Sequence, residues 1–167
     1  ESFFQNTYQA PAQGGELTLA PSLLGDMIVL EAGGGHEFML QSGAYVASEM
    51  DVTVDSKWGG SKGFFGSGSL ILLKVSGSGK VLAASFGAIE ERVLAPGQTY
   101  IVDTGHIVGF DATIQFQVQK AGSWKSTLLG GEGLVCKFSG KGTVWCQSHN
   151  PVSFGKALTS GLRPRSV

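Results

Sequence analysis

The clearest pattern in this chain is Thr113-Ile-Gln-Phe-Gln-Val-Gln119, where Ile114, Phe116 and Val118 alternate with three glutamines. A period of two predicts a strand with one face buried and the other in water. Glu16-Leu17-Thr18-Leu19 alternates in the same sense. Other apolar runs are short and closed by glycine or polar residues: Met27 to Leu30, Phe38 to Leu40, Val52 to Val54. Such runs predict brief strands. Phe154 to Leu158 suggests a turn of helix, and the connectors at 57–67 and 120–130 have room for one turn each.

The runs recur. Gly68 to Ser85 and Gly131 to Ser148 share Lys-x-Ser-Gly-x-Gly at an offset of 63, placing Lys74, Ser76, Gly77 and Gly79 on Lys137, Ser139, Gly140 and Gly142. Each copy reads as a β-hairpin, with the glycines at the reversal because they take positive φ without a Cβ clash. A second unit repeats at an offset of 62. Ser42-Gly43-Ala44-Tyr45-Val46 falls on Thr104-Gly105-His106-Ile107-Val108, and Val52 and Val54 fall on Ile114 and Phe116. Lys57 to Phe65 and Lys120 to Leu129 read as equivalent connectors. Residues 1–20 read as a worn first hairpin. Three hairpins stand against two turn units, so the repeat count predicts a further turn unit upstream. Repeats this small must stack to close a core.

At 167 residues, with 42% hydrophobic and 15% charged side chains, the chain is sized for one folded domain. Its 26 glycines and 5 prolines break it into short segments. No run approaches a membrane-spanning length, and the start shows no basic region or apolar signal core. The net charge of −1 is unevenly spread: residues 1–119 carry −7 and residues 120–167 carry +6. We read the basic end as solvated surface. The alternative is an anion- or RNA-binding patch formed by Lys137, Lys141, Arg163 and Arg165.

Little of the polar chemistry converges. Cys136 and Cys146 flank the second Ser-Gly-x-Gly turn. A two-residue loop would point them to opposite faces, whereas a bulge at Gly142 would set them opposite each other. We read both as free, packed thiols of a reducing compartment. His36, His106 and His149 offer no His-x-His pair for a metal. In Asp103-Thr-Gly-His106 the ionisable pair is replaced in the other copy by Gln41-Ser-Gly-Ala44, so the shared feature is the turn. No nucleophile elbow or phosphate loop is present. Glu90 and Glu91 are adjacent, so in a strand they face opposite ways. These residues predict no catalytic set, metal site or cofactor.

Gly25-Asp26, Gln41-Ser-Gly-Ala-Tyr45, Leu94-Ala-Pro-Gly97, Val102-Asp-Thr-Gly-His106, Leu128-Leu-Gly-Gly-Glu-Gly-Leu134, Phe138-Ser-Gly-x-Gly142 and Asn150-Pro151 occur in an order that carries a resemblance. The chain resembles the altered-inheritance-of-mitochondria family and its bacterial homologues, which are grouped structurally with the tryptophan RNA-binding attenuation protein. The resemblance implies a fold of the attenuation-protein, double-stranded β-helix type and no catalytic residues. It implies a mitochondrial location in a eukaryote and a cytoplasmic one in a bacterium. The prediction is therefore an all-β protein of three pseudo-repeated antiparallel modules with few or no helices. One β domain would cover residues 1–158, with repeats near 1–56, 57–119 and 120–153, followed by a mobile basic tail at 159–167. The expected role is a non-catalytic scaffold that self-associates or holds a protein partner. The alternative is RNA or small-ligand binding by fold analogy.

Overall fold

A computed structural model describes residues 5–56, 70–120 and 134–160. The predicted connectors lie outside these residues, except for Lys120 at the end of a strand. Twelve strands are present among the described residues: β1 (Met27–Ala32), β2 (Phe38–Gln41), β3 (Tyr45–Ser48), β4 (Val52–Asp55), β5 (Leu72–Gly77), β6 (Gly79–Ala84), β7 (Ile89–Leu94), β8 (Thr99–Asp103), β9 (Ile107–Asp111), β10 (Gln115–Lys120), β11 (Leu134–Ser139) and β12 (Gly142–Gln147). One helix follows, α1 (Pro151–Ser160). The fold is all-β, as the alternation and short runs predict.

The two Ser-Gly-x-Gly segments are not hairpins. β5 pairs with β2 and β4, whereas β6 pairs with β1 and β3. Likewise β11 pairs with β10 and β8, whereas β12 pairs with β7 and β9. Each glycine pair is thus a corner at which the chain leaves one sheet and enters another. Both copies take positive φ at these glycines: +94° and +140° at Gly77 and Gly79, and +117° and +152° at Gly140 and Gly142. Glycine is needed there because these are conformations that side chains with a Cβ rarely adopt.

The duplication extends over six strands. β1 to β6 are followed by β7 to β12 with the same pairings, so β1-β6-β3 matches β7-β12-β9 and β4-β5-β2 matches β10-β11-β8. One pairing links the copies. β2 lies antiparallel to β9 and sets Phe38 against Asp111, Met39 against Phe110 and Leu40 against Gly109. The result is a six-stranded sheet, β4-β5-β2-β9-β12-β7, and two three-stranded sheets, β1-β6-β3 and β10-β11-β8.

The six-stranded sheet carries a core on each face. Met39, Leu72, Ile107, Phe110, Val144 and Cys146 pack with Cys136 and Phe138 of the β10-β11-β8 sheet. Phe38, Leu40, Val75, Val108 and Trp145 pack with Leu30, Val81 and Ala83 of the β1-β6-β3 sheet. A bulge on β9 opposite Trp145 and Cys146 lets Ile107 and Phe110, three residues apart, serve one core while Val108 between them serves the other. Phe116 and Val118 of β10, with Ile114 just before it, turn inward and the three glutamines are exposed, as their alternation requires.

Two end segments differ from expectation. Residues 5–24 form no strand, and Glu16, Leu17 and Thr18 are exposed. Alternation specifies a strand only where a neighbour can complete its hydrogen bonds, and no described strand lies beside them. The C-terminal turn of helix is longer than predicted. Asn150 accepts from Val152 N at 3.0 Å and Ser153 N at 3.2 Å, and Pro151 fits the first helical position. Phe154 then packs edge-on against Phe86 at 5.0 Å between centroids. Thr159 and Ser160 end this helix rather than start a tail.

Gly109 sits where the copies meet. A Cβ there would stand 2.6 Å from the Met39 carbonyl and 2.7 Å from Leu40 Cδ2. Gly109→Ala should therefore destabilise the protein by about 1–3 kcal/mol through overpacking, lowering Tm by ~2–4 °C per kcal/mol. Gly155→Ala, with nothing within 4 Å of the new methyl, should be neutral or stabilising. Equal melting temperatures for wild type and Gly109→Ala would contradict this account.

Candidate functional site

The two 62-residue-spaced turns lie close together, with Gly43 and Gly105 bordering the same cavity. Asp103 Oδ1 accepts from Gly105 N at 2.8 Å, and Gln41 Oε1 accepts from Gly43 N at 2.7 Å. The acid of one copy and the amide of the other do the same main-chain work. The serines also match. Ser85 N and Ser148 N donate to the carbonyls of Asp26 and Ala88, while their hydroxyls accept from the amides of the same two residues.

The histidines serve the fold in different ways. His106 Nδ1 hydrogen-bonds the Gln147 carbonyl at 2.8 Å, and Asp103 engages Gly105 and Asn150. His149 Nδ1 lies 2.8 Å from Ser148 Oγ, and its ring packs on Phe86 at 5.1 Å. Ser148 Oγ is engaged by Ala88 N at 2.9 Å, so the contact clasps a turn.

Between the turns lies a cavity of about 210 Å³, bordered by Leu23, Ala44, Phe86, Ile107, Gln147 and Val152. Gln147 spans it, accepting from Phe86 N and donating to the Gly105 carbonyl. No buried side-chain nitrogen or oxygen among the described residues lacks a partner. The described residues also contain no group of three or more His, Cys, Asp or Glu placed to hold a metal.

The most informative polar contact was not anticipated from the sequence. His36 follows the triple-glycine turn of the first copy, and Asp111 ends β9 in the second. His36 Nε2 and Asp111 Oδ1 are 2.8 Å apart, and His36 Nδ1 meets the Glu31 carbonyl at 2.8 Å. The other Asp111 oxygen accepts from Thr143 N at 2.7 Å. The first copy holds the matching bond: Glu49 Oε2 accepts from Lys80 N at 2.9 Å. The offset that equates Asp111 with Glu49 was the available signal, though no motif marks it.

The proposed anion patch is divided. Lys137 is exposed on the outer face of the β10-β11-β8 sheet, between Gln117 and Ile101. Lys141 is exposed at the Gly140–Gly142 corner, where its carbonyl accepts from Thr113 Oγ1. Arg163 and Arg165 lie outside the described residues. Cys136 and Cys146 are free and buried, as the sequence suggested. Burial pushes their thiols up to about 12 and about 11, respectively.

These features define an all-β protein whose conspicuous polar groups mainly hold turns and junctions. Its sequence places it more closely: the family described as mitochondrial biogenesis AIM24 matches residues 1–149, and the chain belongs to that family. It is 29% identical over 153 residues to an uncharacterized protein of Streptococcus pyogenes serotype M6, a match covering 90% of this chain and 61% of that protein. It also resembles the crystal structure of a Streptococcus pyogenes protein, with a TM-score of 0.72 and 28% identity, over 86% of this chain and 63% of that one. The chain therefore spans about three fifths of the length of these relatives. No helix among the described residues is long and apolar enough to cross a membrane.

Two predictions follow from this chemistry. The Asp111 hydrogen bond holds His36 above its ordinary 6.5, against the opposing pull of partial burial, and the Glu31 carbonyl adds to the rise. Because the folded value is the raised one, the pair's contribution is complete below 6.5 and fades as pH climbs through the folded value. The gap in urea midpoint between wild type and His36→Asn should be wider in acid than in alkali. A pH-independent gap would count against the ion pair. For the cysteines, the native protein at neutral pH should resist alkylation, and both thiols should label once it is unfolded. Labelling of the folded protein at the unfolded rate would contradict their burial.

Proposed function

We propose that this chain acts as a non-catalytic scaffold that associates through its sheet edges, with itself or with a protein partner. The supporting observation is the duplicated unit. β2 and β9 join the copies, whereas their counterparts β8 and β3 end their sheets with one strand partner each, and no second, among the described residues. An unpaired edge presents a row of backbone donors and acceptors to another chain.

The polar residues fit this reading. Gln41 and Asp103, like Glu49 and Asp111, hold equivalent main-chain groups although their identities differ. A position that tolerates amide for acid, or a longer acid for a shorter one, suits a structural hydrogen bond. A catalytic carboxylate would require a particular pKa and reach.

The test is the native mass of the complex in a gentle extract of the source cell. A mass several-fold above that of the free protein supports the scaffold reading. Migration as a free single chain, unchanged by crosslinker, would overturn it.

A further inference from the structure

One pair of equivalent surfaces carries opposite charge in the two copies. On β5, Lys74 stands opposite Asp55 of β4, and Ser76 opposite Thr53. On β11, Lys137 stands opposite Gln117 of β10, and Ser139 opposite Gln115. The lysine and the serine are kept, but the acids are not. By the repeat offsets, Asp55 becomes Gln117, Glu37 becomes Thr99 and Asp51 becomes Thr113. Ser78 at the first glycine corner becomes Lys141 at the second. One lysine against three acids gives −2 in the first copy, and two lysines without an acid give +2 at the same positions in the second.

In the first copy the chain answers its own lysine: Lys74 Nζ lies 2.9 Å from Glu37 Oε2. Lys137 has no ion pair among the described residues. Asp103 and Asp111 lie on neighbouring segments, but both are committed. Asp103 accepts from Gly105 N, and Asp111 engages Thr143 N and His36.

We propose that the outer face of the β10-β11-β8 sheet, with its Gly140–Gly142 corner, binds an acidic segment of a protein partner. The partner's carboxylates take the place that Glu37 and its neighbouring acids fill in the first copy. This face is separate from the sheet edges, so the inference goes beyond the scaffold reading and does not depend on edge pairing.

Gln115, Gln117, Lys137 and Ser139 border a hollow of about 200 Å³. Amide and hydroxyl hydrogens there supply neutral donors beside the ammonium group. Lys141 is exposed at the corner four residues on, at most about 14 Å away along the chain. An extended acidic segment can therefore meet both cations. Nucleic acid fits less well, because single strands are held largely by stacking on aromatic side chains. Tyr100, Phe116 and Phe138 of these strands all pack toward the core instead.

The face also stays open if another repeat lies beside β8. In the first copy the same face meets the second copy at Met39 and Leu72, both 1% exposed. Asp51, Thr53 and Asp55 nevertheless remain exposed. The equivalents of Met39 and Leu72 are Ile101 and Val135. A neighbour of that kind would cover these two and leave Thr113, Gln115 and Gln117 accessible.

The test is fluorescence anisotropy with the purified 167-residue chain and three labelled probes. They are a peptide of alternating Glu and Ser, its Gln-and-Ser counterpart, and a single-stranded RNA of equal charge. The acidic peptide should bind saturably at low ionic strength and weaken as salt rises, and the Gln peptide should not bind. Lys137→Gln and Lys141→Gln should each raise Kd about 2–5-fold, the range of a single exposed ion pair. Lys80→Gln, an equal loss of charge elsewhere, should leave Kd unchanged. Thr99→Glu combined with Gln117→Asp gives Lys137 the acids that Lys74 has, and should abolish binding. Far-ultraviolet circular dichroism confirms that each variant is folded.

Absent or salt-independent binding of the acidic peptide overturns the proposal. Binding unchanged by the lysine and acid substitutions does so too, as does RNA binding at these lysines more tightly than the peptide. The mass of the source complex is read separately. A failed titration therefore leaves the scaffold reading standing, and a free single chain in the extract leaves a positive titration standing.

Discussion

The structure depends on the pairing of β2 with β9. It is the one strand pairing among the described residues that joins the two copies, and it lies between two cores. Phe38 and Leu40 turn to one face and Met39 to the other. Across from them, Val108 serves the first face and Ile107 and Phe110 the second. Six side chains from two short strands are almost wholly withdrawn from water. Burial of each contributes on the order of 1.5–3 kcal/mol before the entropy of ordering is counted. The bulge on β9 and the bare Cα of Gly109 let so few residues fill both cores. Without this junction, each copy would retain two small sheets with an apolar face uncovered.

That constraint explains the corner glycines. If β5 and β6 paired with each other, both would be used within a single ribbon. By turning at Gly77 and Gly79, the chain sends β5 to the sheet containing β2 and β6 to the one containing β1. One short segment thereby ties two layers together, and the second copy repeats the manoeuvre. The repeats and their spacing were legible in the sequence because both corners have the same glycine spacing. Their meaning was not, since a reversal within a ladder and a step between sheets need the same backbone freedom. The better signal was in the strands themselves. Leu72, Leu73 and Val75, like Val144, Trp145 and Cys146, are apolar at both parities. A solvent-facing hairpin would alternate; continuous apolar runs mark strands covered on both faces.

The polar chemistry was legible by comparison between copies more than by motif. Asp103 near His106 suggests a catalytic pair when read alone. Set against Gln41 and Ala44, it becomes an acceptor for the Gly105 amide, and the bond is made in both copies. The same comparison would have exposed Asp111 and Glu49, but it needed the three-dimensional pairing to show that each reaches a main-chain amide in the next strand. His36 was harder still, because its counterpart Gln98 is not a histidine and its partner lies 75 residues away. Local spacing carries no information about such a contact. The six-strand unit itself was partly hidden, because the hairpin reading assigned strands to the wrong neighbours.

The edges of the sheets complete the argument, because they are not alike. β7 is an edge strand and carries Glu90, Glu91 and Arg92. β10 is an edge strand that carries three exposed glutamines. β4 ends at Asp55, and β1 carries Glu31. Charges on an edge discourage pairing with another chain. β1 and β7 are equivalent and both end their sheets, as do β4 and β10, so these positions are edges by construction. β3 and β8 are different, because their equivalents β9 and β2 lie inside a sheet. β3 contains no charged residue, and the only one in β8 is Asp103 at its end, committed to the Gly105 turn. These two strands retain the character of interior strands, although each ends a sheet among the described residues. The pattern follows from the repeat: charges lie on strands that are edges in both copies, and are nearly absent from the strand positions through which the copies join.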